Sequence, residues 1–241
     1  MTQFLASVTS VEEAQLAFSC GADIIDCKDP SRGALGALPL ETVTAIRNAL
    51  PSRIILSATI GDLAAEPGPV SQATLEMAQS GTDIVKIGFF PGGDARATIA
   101  SLNRLDLKHI SLVGLLLADR SPDFTLIQDM ADAGFAGVML DTQGKSSGGL
   151  RNHLAEPALT HLIALARNRG LFAGFAGSLA LSDIAPLMRL KPNVLGFRGA
   201  LCSGKIRTGS LSSDAIRAVA AEIASHRAIN SSLPETIGAT R

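Results

Sequence analysis

The chain has 241 residues and a formal net charge of −1. That is too long for a small stapled scaffold and short for two ordinary domains, and it suits one α/β barrel or one large two-layer domain. Hydrophobic residues make up 46%, enough for a sizeable core, while aromatics make up only 4% and are all Phe. The near-absence of stacking side chains and the near-neutral charge argue against a protein that tracks nucleic acid.

In chain order, short apolar runs alternate with amphipathic stretches. The runs predict strands at 4–8, 24–28, 54–60, 84–88, 112–118, 137–142, 171–177 and 194–200. A first helix opens at Ser10, with Glu13 three positions on in the manner of a capping box. Further helices are expected at 40–50, 72–79, 125–133, 158–168 and 213–225. Gly21, Gly81, Gly134 and Gly170 each stand before a strand, where a left-handed residue can end a helix. Near-continuous apolar strands separated by helices mean a parallel sheet covered on both faces. Eight such units with no second composition regime predict a single (β/α)8 TIM barrel over residues 1–228, with 229–241 as a C-terminal tail. The rival, a doubly wound open sheet, would place a glycine-rich turn after its first strand, and Val8-Thr9-Ser10 stands there instead.

Cys20, Cys27 and Cys202 are odd in number and widely spaced, so neither a disulfide framework nor a zinc site is expected, and a reducing cytoplasm suits them. The first residues lack the basic and apolar regions of a signal peptide. No apolar stretch approaches the ~20 residues of a membrane helix.

In a barrel of this kind the chemistry belongs at the C-terminal ends of the strands. On the second strand Ile24, Asp26 and Lys28 share one face, so an inward orientation puts an acid and a lysine together at the mouth. Lys86 interrupts the fourth strand, and Asp141 ends the sixth with Lys145 following in its loop. Only six lysines occur in the chain, and three of them fall at or just beyond the ends of even-numbered strands. A buried strand is a poor place for lysine unless it is paired or employed. Asp26–Lys28 and Asp141–Lys145 could simply be ion pairs closing the mouth. The chemical reading is an amine, partly desolvated and near a second cation, freed to attack a carbonyl, with the two acids shuttling protons.

Phosphate is the second theme. Ala176-Gly177-Ser178 follows the seventh strand and Arg198-Gly199-Ala200 the eighth. Glycine-rich turns at these two positions often cradle phosphate with backbone N–H groups, to which Ser178 and Arg198 would add a hydroxyl and a charge, Arg198 ranking below the loop because a neighbouring carboxylate competes for it. The plain alternative is that the glycines only permit tight turns. Ser57, Thr59 and Asp62 stand near the end of the third strand as further polar candidates, and His153 as a weak one. The four histidines show no metal-ligand spacing.

Several of these segments, taken in order, resemble one family. They are the run 21–30 with Gly33-Ala34-Leu35-Gly36, Leu56-Ser57-Ala58-Thr59-Ile60-Gly61-Asp62, Val85-Lys86-Ile87-Gly88, Met139-Leu140-Asp141-Thr142 with Lys145, Ala176-Gly177-Ser178, and Gly196-Phe197-Arg198-Gly199-Ala200. The sequence resembles the (5-formylfuran-3-yl)methyl phosphate synthases up to about Arg207. The resemblance implies a carbon–oxygen lyase with an aldolase-like barrel. It would condense two molecules of glyceraldehyde 3-phosphate to a furan aldehyde phosphate, with loss of one phosphate and two waters, in the building of methanofuran-type cofactors. It implies a Schiff base on Lys28, proton transfer by Lys86 with Asp26 and Asp141, and substrate phosphate at Lys145. No redox change occurs and the imine serves as electrophile, so neither nicotinamide nor metal is called for. The partner implied is a small-molecule substrate, with no nucleic acid and no membrane, and a homo-oligomer is left open. The segments 89–93 and after Gly148 depart from the family pattern and bear on oligomer contacts or on the second substrate's pocket. Two other readings compete: a metal-free phosphosugar isomerase or other class I aldolase barrel, and a degenerate barrel that senses a phosphate ligand.

Overall fold

A computed structural model describes residues 1–107, 109–144 and 148–232, with side chains as far as residue 228. Eight parallel strands close into a barrel: β1 (Gln3–Val8), β2 (Ile24–Cys27), β3 (Ile55–Thr59), β4 (Ile84–Gly88), β5 (Ser111–Leu117), β6 (Gly137–Asp141), β7 (Phe172–Phe175) and β8 (Val194–Phe197). Each strand pairs with the next in sequence, and β8 closes onto β1. The (β/α)8 barrel expected from the sequence is therefore the fold.

The helices that cover it include α1 (Val11–Ser19), α2 (Leu40–Ala49), α3 (Pro67–Ala78), α4 (Ala95–Leu102), α5 (Leu126–Asp132), α6 (Leu150–His153), α7 (Glu156–Asn168), α8 (Ile184–Arg189) and α9 (Ser213–Ser232). The four glycines expected to stop helices all have positive φ. The last helix runs to Ser232, past the predicted end of the barrel at residue 228, and the remainder of the predicted tail lies outside the described residues. Strands β7 and β8 are shorter than predicted. Gly177 (φ 96°) and Ser178 (φ 51°) turn left-handed after β7, and Arg198 (φ −136°, ψ −66°) leaves extended geometry after β8. A small parallel ribbon of Ala64–Ala65 with Phe90–Gly93 was not foreseen. Helix α4 was also missed, although Asp94 caps it by accepting from the Ala97 N–H at 3.0 Å.

Strand alternation sorts the core into two layers. Outward residues such as Ile25, Cys27, Leu56, Val85, Ile87 and Leu140 pack beneath the helices. Inward residues Leu5, Ile24, Val113, Leu115, Met139 and Val194 plug the bore, with Ile55, Ile84 and Phe172 against them. Leu35 joins this inner cluster from the loop after β2 and Phe90 from the start of the small ribbon, and both cap it beside β4. Gly88 permits that approach, since a Cβ there would stand 2.5 Å from both Leu35 and Phe90. Cys27 lies on the outward face, as expected, and burial pushes its thiol well above the ordinary cysteine range.

Helix α1 is tied to the far side of the barrel seam. Ser10 caps it by accepting from the Glu13 N–H at 3.3 Å. The Glu13 carboxylate does not complete a capping box. It accepts from the Thr9 N–H and hydroxyl and from the Arg198 guanidinium. Arg198 also donates to the carbonyls of Ser7, Arg207 and Gly209, so each of its five N–H donors has a partner. Both side chains of this ion pair are largely buried. Removing one partner of such a pair costs about 3–5 kcal/mol, because the other charge is left uncompensated. Glu13→Ala is expected to lose about 3 kcal/mol in denaturant unfolding, whereas a loss below about 1 kcal/mol would show that water reaches Arg198 freely.

Candidate functional site

The inward positions change character toward the C-terminal ends of the strands. Ser7 on β1, Asp26 on β2 and Ser57 on β3 are register neighbours. Both serines donate to Asp26, Ser7 to Oδ2 at 2.9 Å and Ser57 to Oδ1 at 2.7 Å. Lys86 reaches over from β4 and places Nζ 2.7 Å from Asp26 Oδ1. Asp26 is wholly buried and Lys86 is 4% exposed. Burial alone would raise the Asp26 carboxyl, but the ammonium groups of Lys86 and Lys28 and the bonds from Lys86 and Ser57 outweigh it, so its pKa lies below the usual carboxylate value. Burial is also the main influence on Lys86 and pulls its pKa down, helped by the like charge of Lys28 and opposed by Asp26.

Lys28 stands just beyond the end of β2, and Asp141 is the last residue of β6. These two strands lie on opposite sides of the barrel, so the 3.3 Å contact of Lys28 Nζ with Asp141 Oδ2 crosses the bore. The other Asp141 oxygen accepts from the Thr142 N–H at 2.7 Å. The sequence grouped Asp26 with Lys28 and Asp141 with Lys145. The structure pairs Asp26 with Lys86 and Lys28 with Asp141, not Lys28 with Asp26; Lys145, and with it the Asp141–Lys145 grouping, lies outside the described residues. Adjacency along a strand misled here, because neighbours two apart on one strand point the same way but contact residues on other strands.

All four charged residues line one cavity of about 510 Å³. It opens on the β7–β8 side, where the inward residues Ala176 and Gly196 leave room. Gly177, Ser178, Gly199 and Ala200 line the same wall. Among the described residues, none accepts a hydrogen bond from the N–H groups of these four. Gly177 is needed for conformation and for space, since a Cβ there would stand 2.9 Å from Thr142 Cγ2. Gly199 is not crowded: a Cβ would make only ordinary contacts, at 3.6 Å with the Lys205 carbonyl oxygen and 3.8 Å with Arg207 Cβ.

Arg198 corrects one expectation. It borders the cavity, yet its guanidinium is spent on Glu13 and three carbonyls, so no side-chain donor is left for an anion. Ser57 serves the site through Asp26, whereas the Thr59 hydroxyl donates to the carbonyls of Cys27 and Gly36. Asp62 holds the loop after β2 by accepting from the N–H groups of Ala34 and Leu35, and it does not line the cavity. Sequence reasoning overlooked Ser7 and Arg207, which border the cavity together with Lys205 from the loop after β8. The available signal for Ser7 was its register position beside Asp26. For Arg207 there was none, because it sits in an irregular loop.

The Asp26–Lys86 pair makes a pH-dependent prediction. In the parent the folded Asp26 pKa is depressed, so its contribution to stability is complete above the unfolded value near 3.8 and is lost as pH falls through the folded value. Lys86→Met removes the principal charge that opposes burial, so the Asp26 pKa rises in the folded variant. We expect the variant to be less stable than the parent by about 3 kcal/mol at pH 8. Urea titrations should show that gap narrowing toward pH 5 as Asp26 takes up a proton. A gap that is constant or widens in acid would contradict this electrostatic assignment.

Comparison with known proteins gives the family. A family model described as 4-HFC-P synthase matches residues 4–220. The chain is 40% identical over 209 residues to a Methylorubrum extorquens protein provisionally named (5-formylfuran-3-yl)methyl phosphate synthase, covering 87% of this chain and 86% of that one. It is 35% identical over 210 residues to the (5-formylfuran-3-yl)methyl phosphate synthase of Methanococcus aeolicus, covering 83% and 89%. Among solved structures, phosphoribosyl anthranilate isomerase from Thermus thermophilus superposes with a TM-score of 0.66 at 18% identity, covering 93% of this chain and 99% of that one, a likeness of fold alone. The match of model and relatives over most of the sequence shows that the chain belongs to the 4-HFC-P synthase family.

Proposed function

We propose that the protein condenses two molecules of glyceraldehyde 3-phosphate to (5-formylfuran-3-yl)methyl phosphate, releasing one phosphate and two waters, through a Schiff base on Lys28. The observation that supports this most is the pairing of two lysines with two carboxylates in a single cavity whose opposite wall presents backbone N–H groups with no acceptor among the described residues. The arrangement offers an amine for a carbonyl and donors for a phosphate within one enclosure. The reaction then serves the assembly of a furan for methanofuran-type cofactors, in the cytoplasm.

Lys28 is the better nucleophile of the two lysines on geometric grounds. Lys86 is held at 2.7 Å by an Asp26 that is itself fixed by two serines, deep in the bore. Lys28 stands at the mouth in a longer contact of 3.3 Å. Asp141 accepts a proton from Lys28 as the amine adds to the aldehyde carbon, and returns it as the carbinolamine loses water. The resulting iminium draws electrons from the adjacent carbon. Proton removal there gives an enamine, with Lys86 and Asp26 managing the proton, and the enamine electron pair expels phosphate from the next carbon. The unsaturated iminium left behind is electrophilic at the carbon that lost phosphate, and the second triose adds there through C2 of its enediol. The hydroxyl oxygen on the first triose's C2 closes the ring on C1 of the second, and two waters are lost to form the furan. Hydrolysis of the imine takes back the water released when it formed, so the net loss is one phosphate and two waters.

The phosphate cradle in this reading is the N–H row of Gly177, Ser178, Gly199 and Ala200. Small residues there let the backbone approach an anion closely.

Borohydride reduction in the presence of glyceraldehyde 3-phosphate should fix a covalent adduct on the peptide that contains Lys28. Lys28→Ala should lose both the adduct and turnover while melting as a folded protein. Full activity in that variant would end the proposal, and an isomerase using carboxylates would leave no adduct at all. The cradle has its own test. The Cβ of Gly199→Asp would make only ordinary contacts and the change adds a negative charge, so inorganic phosphate should bind about tenfold or more weakly, the equivalent of a lost charged hydrogen bond. Unchanged phosphate affinity would place the anion elsewhere.

A further inference from the structure

A condensation of two phosphorylated trioses brings two phosphates into one cavity, and the cradle after β7 and β8 accounts for one. The cavity has five lining cations among the described residues: Lys28, Lys86, Arg198, Lys205 and Arg207. Three are matched with carboxylates, Lys28 with Asp141, Lys86 with Asp26 and Arg198 with Glu13. Lys205 is exposed. Arg207 is half-buried, and among the described residues its side chain makes one hydrogen bond, from Nη2 to the Gly33 carbonyl oxygen at 2.7 Å. Its stem begins beside Gly199 of the cradle, and its head reaches the loop after β2 that follows Lys28.

Arg207 therefore crosses the mouth from the cradle side to the imine side. Burial pulls its pKa down from the arginine range while Asp141, Asp62 and Asp29 act in the other direction, which places the guanidinium in the partly desolvated charge field of the site. None of those acids forms an ion pair with it among the described residues, and Asp62 is already committed to the Ala34 and Leu35 N–H groups. A guanidinium with Nε and Nη1 unassigned is suited to bidentate recognition of a phosphate.

We infer that Arg207 binds the phosphate of the second triose, at a site separate from the backbone cradle that holds the phosphate of the triose bound to Lys28. The inference rests on the function proposed above for the chemistry, although the anion site can be tested without it.

Phosphorus NMR titration with inorganic phosphate should count two sites per chain in the parent and one in Arg207→Gln. With glyceraldehyde 3-phosphate, Arg207→Gln should raise the half-saturating concentration for furan formation about tenfold or more. It should leave the concentration dependence of the borohydride-trapped adduct on Lys28 within twofold of the parent, and Arg207→Lys should recover part of the lost affinity. A merely structural role through Gly33 would shift adduct formation and product formation together. Equal phosphate counts in parent and Arg207→Gln, or loss of the adduct along with the product, would overturn the inference. If the parent forms no adduct but the phosphate count still falls from two to one, the proposed chemistry fails and the Arg207 site stands.

Discussion

The contact of Lys86 with Asp26 is the constraint around which the mouth of the barrel is organised. Two charges in a closed bore cost several kcal/mol each in lost hydration, and only close pairing with full hydrogen bonding offsets that cost. The pairing is supplied by four consecutive strands: Ser7 from β1, Asp26 from β2, Ser57 from β3 and Lys86 from β4. This polar layer rests on the apolar plug of Ile24, Val113, Leu115 and Val194. Because Lys86 satisfies Asp26, Lys28 is left to reach across the barrel to Asp141. The layer thus determines which lysine stands nearer the opening.

The opening itself is asymmetric. Leu35 and Phe90 fill the mouth beside β4, made possible by the missing side chain at Gly88. On the other side Ala176 and Gly196 leave a cavity whose wall is backbone N–H. Arg198 shapes that wall without facing into it. Its bonds to Ser7, Arg207 and Gly209 fix the loop after β8 against β1, and Glu13 balances its charge. A ligand with a carbonyl at one end and a phosphate at the other matches this division between a lysine side and an N–H side.

Most of this was legible in the sequence where a local rule decides the outcome. Strand alternation grouped Asp26 with Lys28 on one face, the rule that barrel chemistry sits at the C-terminal strand ends singled out Lys86 and Asp141, and a glycine before each of several strands marked helix ends. The errors arise where partners come from other parts of the chain. The sequence joined Asp26 to Lys28 because they are neighbours, whereas the barrel joins Asp26 to Lys86 through strand register and Lys28 to Asp141 across the bore. Arg198 has the composition of an anion ligand, and only the position of Glu13, 185 residues away, reveals its structural use. Asp62 behaves likewise, with its carboxylate absorbed by the N–H groups of Ala34 and Leu35. Arg207 lies in a loop without periodicity, so nothing in its sequence setting announced a place at the mouth.

The central claim is that a paired set of lysines and carboxylates, facing a phosphate cradle, joins two identical trioses. The most direct measurement is incubation of the purified protein with glyceraldehyde 3-phosphate as sole substrate, following ultraviolet absorption of a furan aldehyde together with free phosphate. The account predicts both signals, in a ratio of one phosphate released per furan formed. Isomerisation of the triose without furan absorption, or phosphate release with no furan, would contradict it.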